Sequence, residues 1–71
     1  MTNTTLLEEY IKKSGLKKNF ICEVLGVSRQ CFLLKCNNKA EFRASEIEIL
    51  CQLLNIGISD RMKIFFAQKV D

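Results

Sequence analysis

Apolar residues recur every three or four positions along most of the chain, which is the spacing of a helix that buries one face. The first such stretch places Leu7, Tyr10, Ile11 and Ser14 on one side. The chain has no proline, and no run of alternating apolar and polar residues is long enough for a strand. The pattern therefore predicts an all-α fold, a compact five-helix domain over residues 1–71. The helices are predicted at about 5–14, 17–25, 28–36 or 37, 45–55 and 60–68.

Helix starts are predicted at small polar residues, because a side-chain oxygen there accepts a hydrogen bond from a free backbone amide. These residues are Thr5, Ser28, Ser45 and Ser59. Thr5 and Ser45 are each followed three residues later by a glutamate, which is the spacing of a capping box. Helix ends are predicted at Gly15, at Gly26 and at Asn55-Ile56-Gly57.

Residues 17–37 have the spacing of two short helices joined by a tight turn, which is a helix-turn-helix unit. Cys22 is small where the two helices cross, and Gly26 permits a positive φ in the turn. The apolar side chain of Val27 is expected to pack beneath the turn, and that of Phe32 is expected to pack the second helix onto the core. The first helix of the unit is predicted to bury Phe20, Ile21, Val24 and Leu25.

The turn and the segments after it resemble those of a known family. Leu25-Gly26-Val27-Ser28-Arg29-Gln30 is similar to the turn of Xre/Cro-family regulators. Three further segments are similar to those of small phage regulators of Gram-positive bacteria: Lys35-Cys36-Asn37-Asn38-Lys39-Ala40-Glu41-Phe42, Ser45-Glu46-Ile47, and Lys63-Ile64-Phe65-Phe66-Ala67. The resemblance covers nearly the whole chain. It implies the lambda-repressor-like fold and a phage or prophage Cro/repressor-like transcriptional regulator that binds double-stranded DNA.

The chain departs from the family pattern at two positions. Many members of the family carry alanine where this chain has Cys22, and a large apolar residue where this chain has Lys35. Because Lys35 is not apolar, the inward packing of the third helix is left to Phe32 and Cys36. Leu33 and Leu34 then fall on the groove-facing side, where apolar side chains contact thymine methyl groups.

Positive charge is concentrated in the middle of the chain. Over residues 25–43, Arg29, Lys35, Lys39 and Arg43 outweigh Glu41, which gives +3. The flanking stretches, 1–24 and 44–71, carry +1 and −1. This distribution is expected if the middle of the chain meets a polyanion.

The candidate DNA-contacting residues lie on and around the third helix. Arg29 and Gln30, in its first turn, suit guanine and adenine edges respectively, although Arg29 is also suited to phosphate alone. The candidates for phosphate contact are Ser28, which also caps the helix, Lys17, Lys18 and Asn19 before it, and Asn37, Asn38 and Lys39 after it. The alternatives are a solvated basic corner at 17–19 and a simple turn at 37–39, with Asn38 in the left-handed conformation.

No catalytic residue, metal site or cofactor is predicted. The chain has no histidine, and Cys22, Cys31, Cys36 and Cys51 lack Cys-x-x-Cys spacing, so four small buried thiols are expected. No base is apparent that would activate a thiol as a nucleophile, so an enzyme with a small-molecule substrate is not expected. No secretory signal or membrane-spanning run is recognised, which predicts a cytoplasmic protein. The resemblance to phage regulators implies that the cell is a bacterial host and that the protein is associated with the nucleoid.

A homodimer is expected, at least on DNA, because one reading helix covers only a few base pairs. The candidate interface is Met62, Phe65 and Phe66 on a last helix over 59–70, and the operator is then palindromic. The alternative is that the small core absorbs these side chains. The alternative function is a non-enzymatic helical adaptor, antirepressor or antitoxin component that binds a protein partner.

Overall fold

Five α-helices make up the computed structural model, which describes residues 2–66, and no strand occurs among those residues. The helices are α1 (Thr4–Ser14), α2 (Lys18–Leu25), α3 (Arg29–Cys36), α4 (Ala44–Leu53) and α5 (Ile58–Phe65). The predicted all-α class is confirmed. Helix α5 ends earlier than predicted, with Phe66 as its cap, and residues 67–71 lie outside the described residues.

The start of α1 differs from the predicted one, whereas the start of α3 is confirmed. Asn3, and not Thr5, caps α1, because its side-chain oxygen accepts a hydrogen bond from the Leu6 backbone amide at 3.2 Å. The hydroxyl of Ser28 accepts from the Cys31 amide at 3.1 Å, which is the predicted cap of α3.

Helices α4 and α5 begin slightly before the serines that were predicted to cap them. The cap of α4 is Arg43 and not Ser45, and its backbone amide donates to the Glu46 carboxylate at 2.8 Å. The glutamate that satisfies the amide is thus the one three residues after Arg43, and the capping box was predicted two residues too late. Gly57, and not Ser59, precedes α5.

The connection between α2 and α3 is a glycine-centred helix end. Gly26 has φ +73°, and its amide donates to the Glu23 carbonyl at 3.1 Å. The next amide, of Val27, donates back to the Cys22 carbonyl, also at 3.1 Å. Together these bonds form a Schellman motif, which satisfies two free carbonyls and ends α2 at Leu25. The predicted positive φ at Gly26 is confirmed.

Two asparagines end helices in the same way. Asn38 after α3 has φ +62°, and Asn55 after α4 has φ +59°. The following amide donates back to the last turn in each case, from Lys39 to the Leu34 carbonyl at 2.8 Å and from Ile56 to the Cys51 carbonyl at 2.9 Å. The left-handed conformation predicted for Asn38 is therefore confirmed, and asparagine tolerates it better than most residues do.

The core lies where α2 packs against α3 and α4, with α1 packed against α5. Its members are apolar side chains from all five helices: Leu7, Ile11, Ile21, Cys22, Phe32, Cys36, Ile47, Leu50, Cys51, Leu54, Ile56, Ile64 and Phe65. Within the core, three aromatic rings pack edge-to-face. The ring centroids of Phe32 and Phe42 are 6.1 Å apart, and those of Phe42 and Phe65 are 5.6 Å apart.

Three predicted burials are wrong. Phe20 and Val24 lie on the exposed side of α2, because the inward face is set by Ile21 and Cys22, with Leu25 partly buried. Cys31 is also exposed, so three of the four thiols are buried and not all four. None of the helices in the described range has the length and apolar character that crossing a membrane requires.

Candidate nucleic-acid interface

Helix α3 has an inward and an outward face. Phe32 and Cys36, one turn apart, are both buried. On the opposite side, Gln30, Leu33, Leu34 and Asn37 follow one another at three- and four-residue spacing, and all are exposed. The outward placement expected for Leu33 and Leu34 is therefore observed. The helix is eight residues long, about 12 Å, and an α-helix with its side chains is about 10–12 Å across, which a DNA major groove admits.

The amino-terminal end of α3 is oriented by α2. The Arg29 guanidinium donates a hydrogen bond to the side-chain oxygen of Asn19 at 2.6 Å. Asn19 stands in the first turn of α2, so this bond joins the first turns of the two helices. The guanidinium retains most of its donors, because it has five and this bond uses one. Asn19 thus contacts Arg29 through its side-chain oxygen, and the donors of its side-chain nitrogen are not used by this bond.

The two lysines at the start of α2 are not equivalent. Lys17 caps the helix through its backbone and keeps an exposed side chain. Lys18 instead pairs with Glu8 of α1 at 3.1 Å, with both side chains partly exposed. The carboxylate offsets the Lys18 charge, so Lys17 carries the free charge at this end.

Beyond the carboxyl-terminal end of α3, Asn38 is bound to the amino-terminal segment. The Thr2 amide donates to its side-chain oxygen at 2.6 Å, and its side-chain nitrogen donates to the Thr2 carbonyl at 2.9 Å. The Thr4 hydroxyl also donates to the Cys36 carbonyl nearby. Asn38 is therefore occupied by the protein itself, whereas Asn37 and Lys39 on either side of it are exposed.

A buried ion pair that the sequence did not predict joins α3 to α4. The Lys35 ammonium lies 2.6 and 2.7 Å from the two carboxylate oxygens of Glu46. Their side chains are only 13% and 8% exposed. The signal for this pair was the position of each residue on its helix. Lys35 is next to the buried Cys36, and Glu46 lies one turn before the buried Leu50.

The environment of Glu46 favours its ionised form. Burial alone raises the pKa of a carboxyl, but hydrogen bonds from Lys35 and from the Arg43 amide outweigh it and hold the pKa of Glu46 below its usual value. A carboxyl whose folded pKa is depressed adds stability above its unfolded pKa. That stability is lost as pH falls through the folded value.

We therefore expect the free energy of unfolding to decrease as pH falls below about 4.5, the ordinary value for glutamate. The Glu46→Gln variant should lack this part of the pH dependence, because its amide does not titrate there. Urea unfolding at a series of pH values measures both proteins. If the free energy of unfolding changed with pH in the same way in the wild type and in Glu46→Gln, the assignment of this dependence to Glu46 would be contradicted.

Burial suppresses ionisation of three of the four cysteine thiols. Burial raises the pKa of the Cys36 thiol to about 11, and it also raises the pKa of Cys22 and of Cys51. These three thiols are therefore protonated at neutral pH. Within residues 2–66, no group of three side chains that ligate metals comes together.

The predicted interface on α5 is partly wrong. Phe65 is a core residue, packed edge-to-face on Phe42, and is not available to a partner. Met62 and Phe66 are exposed, at 56% and 50%, and Ile58 is 84% exposed. These three residues, hereafter the α5 stripe, are four positions apart and share one face. Ile58 was missed because it precedes the predicted helix start at Ser59.

No family model, no curated protein and no solved structure matches this chain. Inferences about its function therefore rest on its own residues and their geometry.

Proposed function

We propose that the protein is a helix-turn-helix DNA-binding regulator of the lambda-repressor-like type, in which α2 and α3 form the helix-turn-helix. The observation that carries the proposal is the outward face of α3. It presents the Gln30 amide together with Leu33 and Leu34, next to Arg29, whose guanidinium is bonded to Asn19. Amide and guanidinium groups bind base edges, and apolar groups contact thymine methyls.

In this docking mode α3 enters the major groove and α2 lies across the phosphate backbone. Arg29, Gln30, Leu33 and Leu34 then contact bases. The residues assigned to phosphates are exposed: Lys17 at the start of α2, Ser28 at the start of α3, Asn37 and Lys39 just after α3, and Arg43 at the start of α4. Asn38 orients the turn, and Lys18, offset by Glu8, contributes less than first predicted.

A protein of this kind regulates transcription by occupying a promoter in the cytoplasm of a bacterial host. Such a site is a polyanion, and the exposed Arg29, Lys39 and Arg43 attract it, whereas the charge of Lys35 is offset by Glu46. No cofactor or small-molecule substrate is needed for this function.

Arg29→Ala should weaken binding to a selected site by about tenfold and relax the preference at one base position. Asn19→Ala should produce part of the same loss, because it releases the guanidinium from its fixed direction. Fluorescence anisotropy on the selected site and on random duplex DNA measures both, with Lys12→Ala on α1 as the control. Equal losses on the two DNAs would show that Arg29 contacts only phosphate.

We further propose that two copies associate through the α5 stripe. One α3 reads few base pairs, and two-fold pairing doubles the reading surface on a palindromic site. The stripe places Ile58, Met62 and Phe66 in a row, so that the same row on a second copy packs against it across a two-fold axis. The partner of each copy is thus an identical chain.

Met62→Asp should raise the dissociation constant of the dimer about tenfold or more, because burying a methionine is worth ~1.5–3 kcal/mol and the carboxylate removes that gain. Sedimentation with and without DNA measures the association. Gln52→Asp on α4 is the control, since it makes the same change in charge at an exposed site off the stripe. A dimer unaffected by Met62→Asp would place the interface elsewhere.

The alternative of a helical adaptor is supported by a different observation. Phe20 and Val24 lie one turn apart on the exposed side of α2, where a protein partner would cover them. The two functions separate in a DNA titration. A chain that binds no duplex DNA at low salt is the adaptor, and a chain that binds it strongly is the regulator.

A further inference from the structure

We propose that Lys35 and Glu46 are a positioning pair that fixes the orientation of α3 against α4 and so sets how α3 fits the DNA. This inference rests on the proposed DNA-binding function. It concerns two residues that point away from the outward face of α3 and that contact no DNA in the proposed docking mode. Their effect on binding is therefore indirect, through the placement of the side chains that do make contact.

The geometry of the pair restricts movement in several directions. The Lys35 ammonium sits between both oxygens of Glu46, at 2.6 and 2.7 Å. One of those oxygens also accepts from the Arg43 backbone amide at 2.8 Å. The last turn of α3, the first turn of α4 and the residue that caps α4 thus meet at one carboxylate. A shift of α3 along or around its axis lengthens at least one of these bonds.

The pair also closes the loop that carries three of the proposed phosphate contacts. Residues 37–43 connect α3 to α4, and the ion pair joins the two helices directly across that loop. Asn37, Lys39 and Arg43 lie in the loop segment that the pair closes. The orientation of α3 and the placement of these three side chains are therefore set by the same bonds.

Orientation, more than stability, is what such a pair contributes. A buried ion pair loses its hydration, so replacing both partners by neutral groups of similar shape often leaves stability unchanged or higher. Apolar neighbours, however, tolerate sliding, whereas hydrogen bonds to a carboxylate are directional. Removing both charges together is expected to keep α3 folded and to let its angle change.

The test uses the double variant Lys35→Met with Glu46→Gln. It keeps the net charge and an acceptor for the Arg43 amide, replaces the lysine by an unbranched side chain one atom shorter, and removes the ion pair. The first readout needs no DNA: residual dipolar couplings of α3 amides relative to those of α4. The second is the ratio of affinities for a selected site and for random duplex DNA.

If the pair positions α3, the couplings of α3 change while those of α1 and α5 do not. The affinity ratio then falls about tenfold, the equivalent of one lost base contact, and affinity for random DNA stays within about twofold because the net charge is unchanged. Unaltered couplings and an unaltered ratio in a folded variant would overturn the inference. Altered couplings in a chain whose wild type binds no DNA would leave the positioning intact and refute the DNA-binding proposal instead.

A second variant decides the matter if the double variant does not fold. Lys35→Arg keeps the charge and the pairing with Glu46 but replaces a compact ammonium by a larger planar group. A positioning pair then predicts a folded protein with a reoriented α3 and a reduced affinity ratio. Couplings and ratio equal to those of the wild type would overturn the inference.

Discussion

Phe32→Ala is expected to lower the free energy of unfolding by ~3–5 kcal/mol, because it leaves a cavity where a fully buried ring stood. The ring has no exposed surface and packs edge-to-face on Phe42, which packs in turn on Phe65. Proteins of this kind have roughly 5–15 kcal/mol of stability in total. The variant should therefore be partly unfolded at temperatures where the wild type is fully folded.

Urea unfolding followed by circular dichroism measures the effect. Leu33→Ala is the matched control, since it truncates the neighbouring residue on the exposed side of α3. We expect it to change stability by less than about 0.5 kcal/mol, although it removes a proposed thymine contact. Equal losses for the two variants would mean that the inward face of α3 is not the one defined by Phe32.

Gly26→Thr is expected to destabilise the protein by ~1–3 kcal/mol or more, because a β-branched residue is strained at φ +73°. A Cβ at this position meets no other atom within 4 Å, so the cost comes from the backbone conformation and not from crowding. The expected result is a melting temperature lower by several degrees in a domain of this size.

Two controls isolate the conformational cost. Gly57→Thr adds the same side chain where φ is negative, at a helix cap that threonine suits as well as glycine does. It should melt near the wild type. Gly26→Asn should lose less than Gly26→Thr, since Asn38 and Asn55 already adopt this conformation in the same chain. A normal melting temperature for Gly26→Thr would show that the turn does not need a positive φ.

Local signals in the sequence were sufficient to predict the helices and the turn. Apolar periodicity located five helices, and Gly26 and Ser28 marked the turn between α2 and α3 correctly. The starts of α1, α4 and α5 were misplaced by one or two residues. Several residues near each start are able to cap a helix, and the choice among them depends on the path of the incoming chain.

Burial was less predictable, because an apolar residue does not show which side of its helix faces the core. Phe20 and Val24 were assigned to the core, although Ile21 and Cys22 fill the inward side of α2. Phe65 was assigned to the surface, whereas the ring of Phe42, 23 residues earlier in the chain, packs on it. Such outcomes depend on contacts between distant segments.

In the candidate site, too, local geometry was predictable from the sequence, whereas contacts between distant residues were not. The exposed positions on α3 follow from helical geometry, so Arg29, Gln30, Leu33 and Leu34 were placed correctly on the surface. The hydrogen bonds that occupy Asn19 and Asn38, and the Lys35–Glu46 pair, join residues 10, 36 and 11 positions apart. No local pattern records these pairings. The sequence therefore indicated which side chains lie on the surface of α3 but not which polar side chains are hydrogen-bonded or paired within the protein.

The proposal that this chain binds duplex DNA through α3 is tested most directly by titrating labelled duplex DNA of random sequence at two salt concentrations. Fluorescence anisotropy at about 50 and about 200 mM salt measures the affinity, and each phosphate contacted lowers log K by about 0.9 for a tenfold rise in salt. With at least three phosphates contacted, we predict binding at the lower concentration and a slope of about −2.7 or steeper. The absence of binding at the lower concentration, or an affinity that does not change with salt, would contradict the proposal.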